Sequence, residues 1–241
     1  MARPLLPLPR PPLMAGLIGL ALLLGGCGSR SGTSAQQLVV GFQGTIDTVD
    51  PAQATTVGAL QLLSAVGDPL YAIRPDGSLE PRLATGLPVL SSDGLRAVVP
   101  LRRGVRFHDG TPFDAEAMAF SLRRFLAIGK LSYVVGDRIR AIRVLDPHRL
   151  ELELSRPYGA LPQLLSSANL TPVSPRAYRR HRDRFLPDAF IGTGPYRLGF
   201  TSPQLQRLEP FPGYWGSRPR NDGLALASLT TSSGLLGALR S

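Results

Sequence analysis

Three histidines, one cysteine and one close glycine pair are the residues of this chain whose types could do chemistry. His108-Asp109 and Asp146-Pro147-His148 each set a base beside an acid, the raw material of nucleophilic catalysis or of a metal site. A triad needs nucleophile, base and orienting group to converge from separate positions. Neighbours on one turn do not converge, and Gly-x-Ser-x-Gly is absent. His108, His148 and His181 are scattered without ligand spacing, and the single cysteine, Cys27, excludes an internal disulfide and a multi-cysteine metal site. Gly192-Thr193-Gly194 would cradle phosphate only at the start of a helix. Here Pro195-Tyr196-Arg197-Leu198 continues as a strand. No catalytic residue, no metal and no cofactor is therefore expected, and Asp50, before Pro51, reads as a turn or cap residue.

The elements that position these residues are organised around Gly94–Arg124. Leu95, Ala97, Val99 and Leu101 alternate with Arg96, Val98, Pro100 and Arg102, the period of a strand with one buried face. Pro100 removes a ladder donor, which predicts an edge strand or a lost hydrogen bond. Val105 and Phe107 resume the alternation after Gly104. His108-Asp109-Gly110-Thr111-Pro112 is a turn, and Asp114 can cap a helix with Glu116 in its first turn. Met118, Leu122, Phe125 and Leu126 share one helical face, with Arg123 and Arg124 expected to point away. Leu38–Phe42 reads as a short buried strand. Leu60, Leu63 and Val66 suit a helix, and Pro75-Asp76-Gly77 is a turn. Ile139–Val144 and Leu150–Leu154 form a hairpin around Asp146–Arg149. Leu161–Ala168 suits a short helix, and Arg176–Arg184 a basic one. Leu205–Leu208 suits a strand.

The 241 residues, 43% hydrophobic, suffice to bury a core, and 23 prolines with 26 glycines imply many turns. The net charge of +10 comes almost wholly from arginine, since Lys130 is the only lysine. Such a balance would suit nucleic acid, but the arginines are scattered through strand and helix patterns and no nucleic-acid-binding motif is present. No nucleic-acid partner is expected.

Leu101-Arg102-Arg103-Gly104-Val105-Arg106-Phe107-His108-Asp109-Gly110-Thr111-Pro112 resembles, in order, the signature of the family 5 extracellular solute-binding proteins of ABC transporters, the peptide and nickel binders. Val49-Asp50-Pro51, the order Leu70-Tyr71, Pro75-Asp76-Gly77, Pro81-x-Leu83-Ala84, the block Ile191–Leu198 and Tyr214-Trp215-x-x-x-Pro219 are similar to further blocks of that family. The resemblance spans 38–241, about the first half of a usual member. It implies an α/β fold, the first lobe of a periplasmic binding protein-like fold (type II, cluster C), with a mixed sheet plus a hairpin/helix subdomain. Residues 38–58 and 189–241 would carry the lobe I sheet and 59–188 an inserted subdomain. Residues just past the first strand line the family's ligand cleft. Gln43, Gly44, Thr45 and Ile46 are thus the candidates for ligand contact, unless this is an ordinary solvated loop. Trp215 is expected to pack rather than to serve as a ligand platform.

The N-terminal 26 residues are a leader. Arg3 and Arg10 precede an apolar run, Leu13–Leu24, too short for a comfortable span and suited to a signal h-region. Leu24-Gly25-Gly26-Cys27 looks like a bacterial lipobox, with Cys27 as the lipidation site; the alternative is an ordinary signal peptide with an incidental cysteine. Acyl chains contribute about 0.8 kcal/mol per buried methylene and would hold the protein at the membrane. Residues 27–37, rich in Gly, Ser, Thr and Gln, read as a flexible tether. The functional expectation is a lipid-anchored, substrate-binding component of an ABC importer at the cell envelope, periplasmic or on the outer face of the cytoplasmic membrane. It would bind oligopeptides or another small solute, have ABC permease subunits as partners, and would not be an enzyme. The alternatives are a truncated remnant or interaction lobe with no independent solute binding, or a cationic cell-surface lipoprotein of unrelated role.

Overall fold

The computed structural model of the chain describes residues 37–179, 190–229, 231, 233–234 and 237. The leader, Cys27, the tether up to residue 36 and His181 lie outside the described residues, as does part of the helix expected at Arg176–Arg184.

Two four-stranded sheets and one hairpin carry the architecture. The first sheet joins sequence-distant strands: β1 (Leu38–Gln43) pairs in parallel with β10 (Leu224–Leu229), which runs antiparallel to β9 (Leu205–Pro210), itself antiparallel to β8 (Tyr196–Thr201). The second sheet has the order β4 (Val89–Leu90), β5 (Arg96–Pro100), β7 (Arg149–Leu154), β6 (Ile139–Asp146), all antiparallel. β2 (Tyr71–Ile73) and β3 (Leu79–Pro81) form the separate hairpin, closed by Gly77.

Each sheet has its own core. The buried face of α1 (Val57–Val66), with Ala59, Leu62, Leu63 and Val66, packs with Val49, Tyr178, Phe190, Leu208 and Leu226 against the first sheet. Ala97, Val99, Leu150 and Leu152 of the second sheet pack against Met118, Leu122 and Phe125 of α2 (Ala115–Ile128). Asp114 caps α2 by accepting from the Ala117 amide at 2.8 Å.

Four local expectations change or narrow. β1 is largely exposed, not buried: Leu38 and Val39 are 55% and 63% accessible, because β1 is an edge strand held by backbone pairing to β10 and only Phe42, near its end, packs against the α1 core. β5 lies inside its sheet despite Pro100. Beyond the two-residue β4 the Thr85 amide donates to the Pro100 carbonyl and the proline nitrogen can return no bond, so of the two alternatives the lost hydrogen bond holds. Val105 and Phe107 are buried, but outside any strand, on a turn bridged between Arg106 and Pro112.

The fourth change is the most consequential. Arg124 turns inward. Its side chain is 3% exposed, stacks 4.9 Å from the Tyr178 ring centroid, and grips the fully buried Asp50 carboxylate with both Nη atoms, at 2.8 and 2.5 Å. Asp50 is a turn residue, as expected: its side chain accepts from the Ala52 amide and its carbonyl from the amides of Gln53 and Ala54. It is also the buried charge that calls Arg124 into the interior. Breaking such a pair leaves one charge without its partner, so Arg124→Met is expected to cost about 3–5 kcal/mol. Arg103→Met, at an exposed position, is expected to stay within about 0.5 kcal/mol. Urea unfolding of the two variants checks this.

Candidate functional site

The parallel pairing of β1 with β10 brings two strand ends to the same end of the first sheet, the place where α/β folds build ligand sites. Gln43 closes β1 opposite Leu229, and the chain then turns through Gly44, Thr45 and Ile46. Gln43, Gly44 and Thr45 are exposed, while Ile46 is half-buried against the α1 core. Gly44 has φ +144°, a conformation that side-chain-bearing residues rarely adopt.

The loop is pinned through its carbonyls. The Ser228 hydroxyl donates to the Gly44 carbonyl. The Thr56 hydroxyl, at the α1 N-cap, lies 3.1 Å from the Thr45 carbonyl and 2.9 Å from the Asp47 carboxylate. Ile46, Asp47 and Val49 line a cavity of about 320 Å³ whose opposite wall is the β8–β9 turn, Thr201–Pro203. The next turn is held from the second core. Asn169 donates to the Pro51 and Ala54 carbonyls at 2.8 Å each, and the Lys130 amide donates to the Ala52 carbonyl. The structure therefore brings all four predicted residues together, on a backbone anchored at both ends. It can present backbone and side-chain polar groups to a solute laid across the sheet end.

The residues with catalytic types are spent on structure. His108 faces the Gly194 carbonyl through Nε2 at 3.1 Å and sets its ring edge-on to Phe211. Asp109 turns away from it and accepts from the Ser174 and Thr111 hydroxyls, each at 2.6 Å. Those bonds hold the Asp109 carboxyl low despite burial. No nucleophile–base–acid alignment exists there. Gly192 and Gly194 serve close approach: a Cβ on Gly194 would sit 2.4 Å from the Val66 carbonyl carbon, and its amide donates to the Val66 carbonyl. A strand, β8, follows, so no phosphate cradle forms. Among the described residues no His/Cys/Asp/Glu group could hold a metal ion.

A second polar cluster was not foreseen. Asp68, in the α1–β2 loop, accepts from Arg82 at 2.8 Å, from the Trp215 indole at 2.9 Å and from the Tyr214 hydroxyl at 3.2 Å. Burial pushes the Asp68 carboxyl up, against the pull of these three donors. Burial, with Asp68 alongside, pushes Tyr214 up to about 12, so it keeps its proton and donates. Trp215 is thus a packing residue, as expected, and also a hydrogen-bond donor. The sequence signal was the Tyr-Trp pair itself, without any indication of its acidic partner 147 residues away.

The fold and this sheet-end geometry define one lobe of a type II periplasmic binding protein. The chain belongs to the bacterial extracellular solute-binding proteins, family 5 Middle, whose model matches residues 78–241. It is 28% identical over 206 residues to the glutathione-binding protein GsiB of Salmonella choleraesuis, covering 83% of this chain and 40% of that protein. It is also 28% identical over 187 residues to GsiB of Escherichia coli strain K12, covering 76% and 36%. Among solved structures it superposes on NikZ from Campylobacter jejuni in complex with Ni(L-His), with TM-score 0.78, 21% identity and coverage of 86% of this chain and 42% of that one. Listeria monocytogenes OppA bound to peptide gives TM-score 0.76, 18% identity and coverage of 85% and 45%. An ABC transporter substrate-binding protein from Sinorhizobium meliloti gives TM-score 0.75, 27% identity and coverage of 85% and 41%. The chain thus spans about two-fifths of the length of these relatives, which are solute-binding proteins rather than enzymes. Among the described residues no helix is long and apolar enough to cross a membrane.

The His108 contact generates a pH prediction. Burial, aided by the Arg197 charge and opposed by the Gly194 carbonyl and Asp109, lowers its pKa from 6.5 to about 4. The folded value lies below the unfolded one, so the unfolded chain takes up the proton first. The contribution is full above pH 6.5 and is lost as the pH falls towards 4, by up to about 3 kcal/mol. His108→Gln keeps a donor for the Gly194 carbonyl without titrating. The stability difference between wild type and H108Q, from urea unfolding across that window, is expected to shift against wild type as the pH drops.

Proposed function

We propose that the chain is the first lobe of the substrate-binding component of an ABC importer, and that Gln43, Gly44, Thr45 and Ile46 contact the solute. The observation that carries this reading is the anchored, exposed loop at the carboxyl ends of the parallel β1–β10 pair. The solute class is a peptide or similar small molecule, in keeping with relatives named for glutathione and peptide binding. Residues 38–58 and 189–241 form the sheet-bearing part of the lobe and 59–188 the inserted subdomain. The packing of α1 (Val57–Val66) against the first sheet argues for a boundary after this helix rather than within it at residue 59. A full clamp of this kind delivers its solute to permease subunits after closing around it, a closure driven by the solute's higher affinity for the closed form. Cys27 is the acceptor of a lipid anchor, residues 1–26 its leader and 27–37 its tether, which places the protein at the outer face of the cytoplasmic membrane.

Two outcomes test this. Millimolar di- and tripeptides, glutathione included, are expected to raise the melting temperature of the purified chain, and Thr45→Trp, which crowds the sheet end, is expected to abolish the rise without lowering the unliganded value. A melting temperature indifferent to every peptide identifies the chain as a lobe without independent solute binding. Separately, cells fed labelled palmitate are expected to label the wild-type chain, and Cys27→Ser to carry no label.

A further inference from the structure

At the other end of β1 lies a basic surface that the solute reading does not use. The Leu38 amide donates to the Gly223 carbonyl at 3.0 Å, so the chain preceding β1 departs beside the β9–β10 loop. That loop carries Tyr214, Trp215, Gly216 and Ser217, then exposed Arg218 and Arg220. Trp215 and Ser217 share a cavity of about 390 Å³ with Arg82 and Arg102. Arg102 is preorganised there: Nε donates to the Arg82 carbonyl at 2.9 Å and the guanidinium lies 4.4 Å from the Trp215 ring centroid. Its two Nη groups form no ion pair, although Glu80 also lines the cavity, whereas Arg82 is committed to Asp68, Tyr214 and Glu80. Among the described residues Arg102, Arg103, Arg218 and Arg220 have no ion-pair partner. Glu80 is engaged by Arg74 and Arg82, which leaves Asp222 as the nearby acid without a cation.

We propose that this end of the lobe docks on an anionic lipid surface, with the Arg102 fork and the Ser217 hydroxyl receiving a headgroup phosphate and Arg218 and Arg220 lying on neighbouring headgroups. A fixed guanidinium with both Nη atoms open matches a phosphate bidentately and loses little freedom in doing so. The choice of a lipid surface over a free anion rests on charge complementarity and on the position of Leu38. If residues 27–37 tether the chain to a membrane, as proposed above, they leave the domain at this basic end. A span of eleven residues reaches at most about 35–40 Å, so it holds this end within easy reach of the headgroups. Arginines near an anionic bilayer strengthen attachment roughly fivefold each, and the effect is screened by salt.

Trp215 is the only tryptophan of the chain, so its fluorescence reports on this surface alone. The test is energy transfer from Trp215 to a dansyl-headgroup lipid in vesicles of phosphatidylcholine alone and of phosphatidylcholine with equimolar phosphatidylglycerol. Transfer is expected to be strong only on the anionic vesicles and to fall in about 1 M salt, where the screening length is about 3 Å. Arg218→Glu with Arg220→Glu, both at exposed positions, is expected to weaken vesicle attachment at least about tenfold while leaving the melting temperature unchanged. Equal transfer on both vesicle types, or a double variant that attaches as well as wild type, overturns the proposal. So does inorganic phosphate that shifts Trp215 emission as fully as the vesicles do, since that marks a free-anion pocket. The Cys27→Ser chain separates this inference from the anchor reading: it is expected to lose the palmitate label and keep the lipid-charge dependence.

Discussion

A carboxylate with no access to water dictates much of how this lobe is assembled. Asp50 is fully buried, and an isolated charge in that position would be prohibitive. Arg124 answers it across 74 residues of sequence with a two-pronged contact, and Tyr178 covers the guanidinium face. The pair sits where the two cores meet: Asp50 adjoins Val49 of the first, and Arg124 projects from the helix whose apolar face fills the second. Its consequence reaches the candidate site directly. The turn that Asp50 organises is the continuation of the Gln43–Asp47 loop, so the loop's far end is fixed by a group belonging to the other sheet's helix.

A second tie repeats this logic with neutral groups and one further ion pair. Gly192-Thr193-Gly194 crosses the C-terminal end of α1 at backbone contact distance, and the Thr193 hydroxyl accepts from the Asp68 amide. His108, from the turn before α2, closes on the same crossing through the Gly192 and Gly194 carbonyls. Asp68 then collects Arg82, Tyr214 and Trp215, bringing the β2–β3 hairpin and the β9–β10 loop to one point. These contacts are polar, buried and directional. They fix the relation between the sheets more narrowly than apolar packing alone, which tolerates sliding.

The local punctuation of the fold was legible because turns and caps are short-range chemistry. The Phe107–Thr111 turn, the Asp114 cap, the Asp146–Arg149 hairpin turn and the Met118–Leu122–Phe125 face all depend on residues within a few positions of each other. The misreadings of Leu38–Phe42 and Arg124 concern partners far away in sequence. An apolar run such as Leu38–Phe42 looks the same at the edge of a sheet as at its centre. An arginine on a helix looks solvated until its carboxylate, here Asp50, is located. Likewise Trp215 could be read as a packing residue, but not as the donor to Asp68. The sheet end around Gln43–Ile46 became a candidate through family resemblance. What the resemblance did not contain was the means of holding the loop, which Ser228, Thr56 and Asn169 supply from three other elements.

The strand order of the first sheet puts the proposed solute loop and the proposed lipid-facing loop at opposite ends. With β1 parallel to β10, the carboxyl ends of both strands meet the β8–β9 turn, where the Ser228 amide donates to the Gln204 carbonyl. With β9 antiparallel to β10, the loop between them is forced to the opposite end, beside Leu38 and Gly223. Six residues of strand span roughly 20 Å, which keeps these two ends apart. An antiparallel β1 would have put the candidate loop beside the basic β9–β10 loop and the N-terminal connection beside the β8–β9 turn. The single parallel pairing in this sheet therefore sets the start of β1 beside the β9–β10 loop and its finish, with the candidate loop, beside the β8–β9 turn.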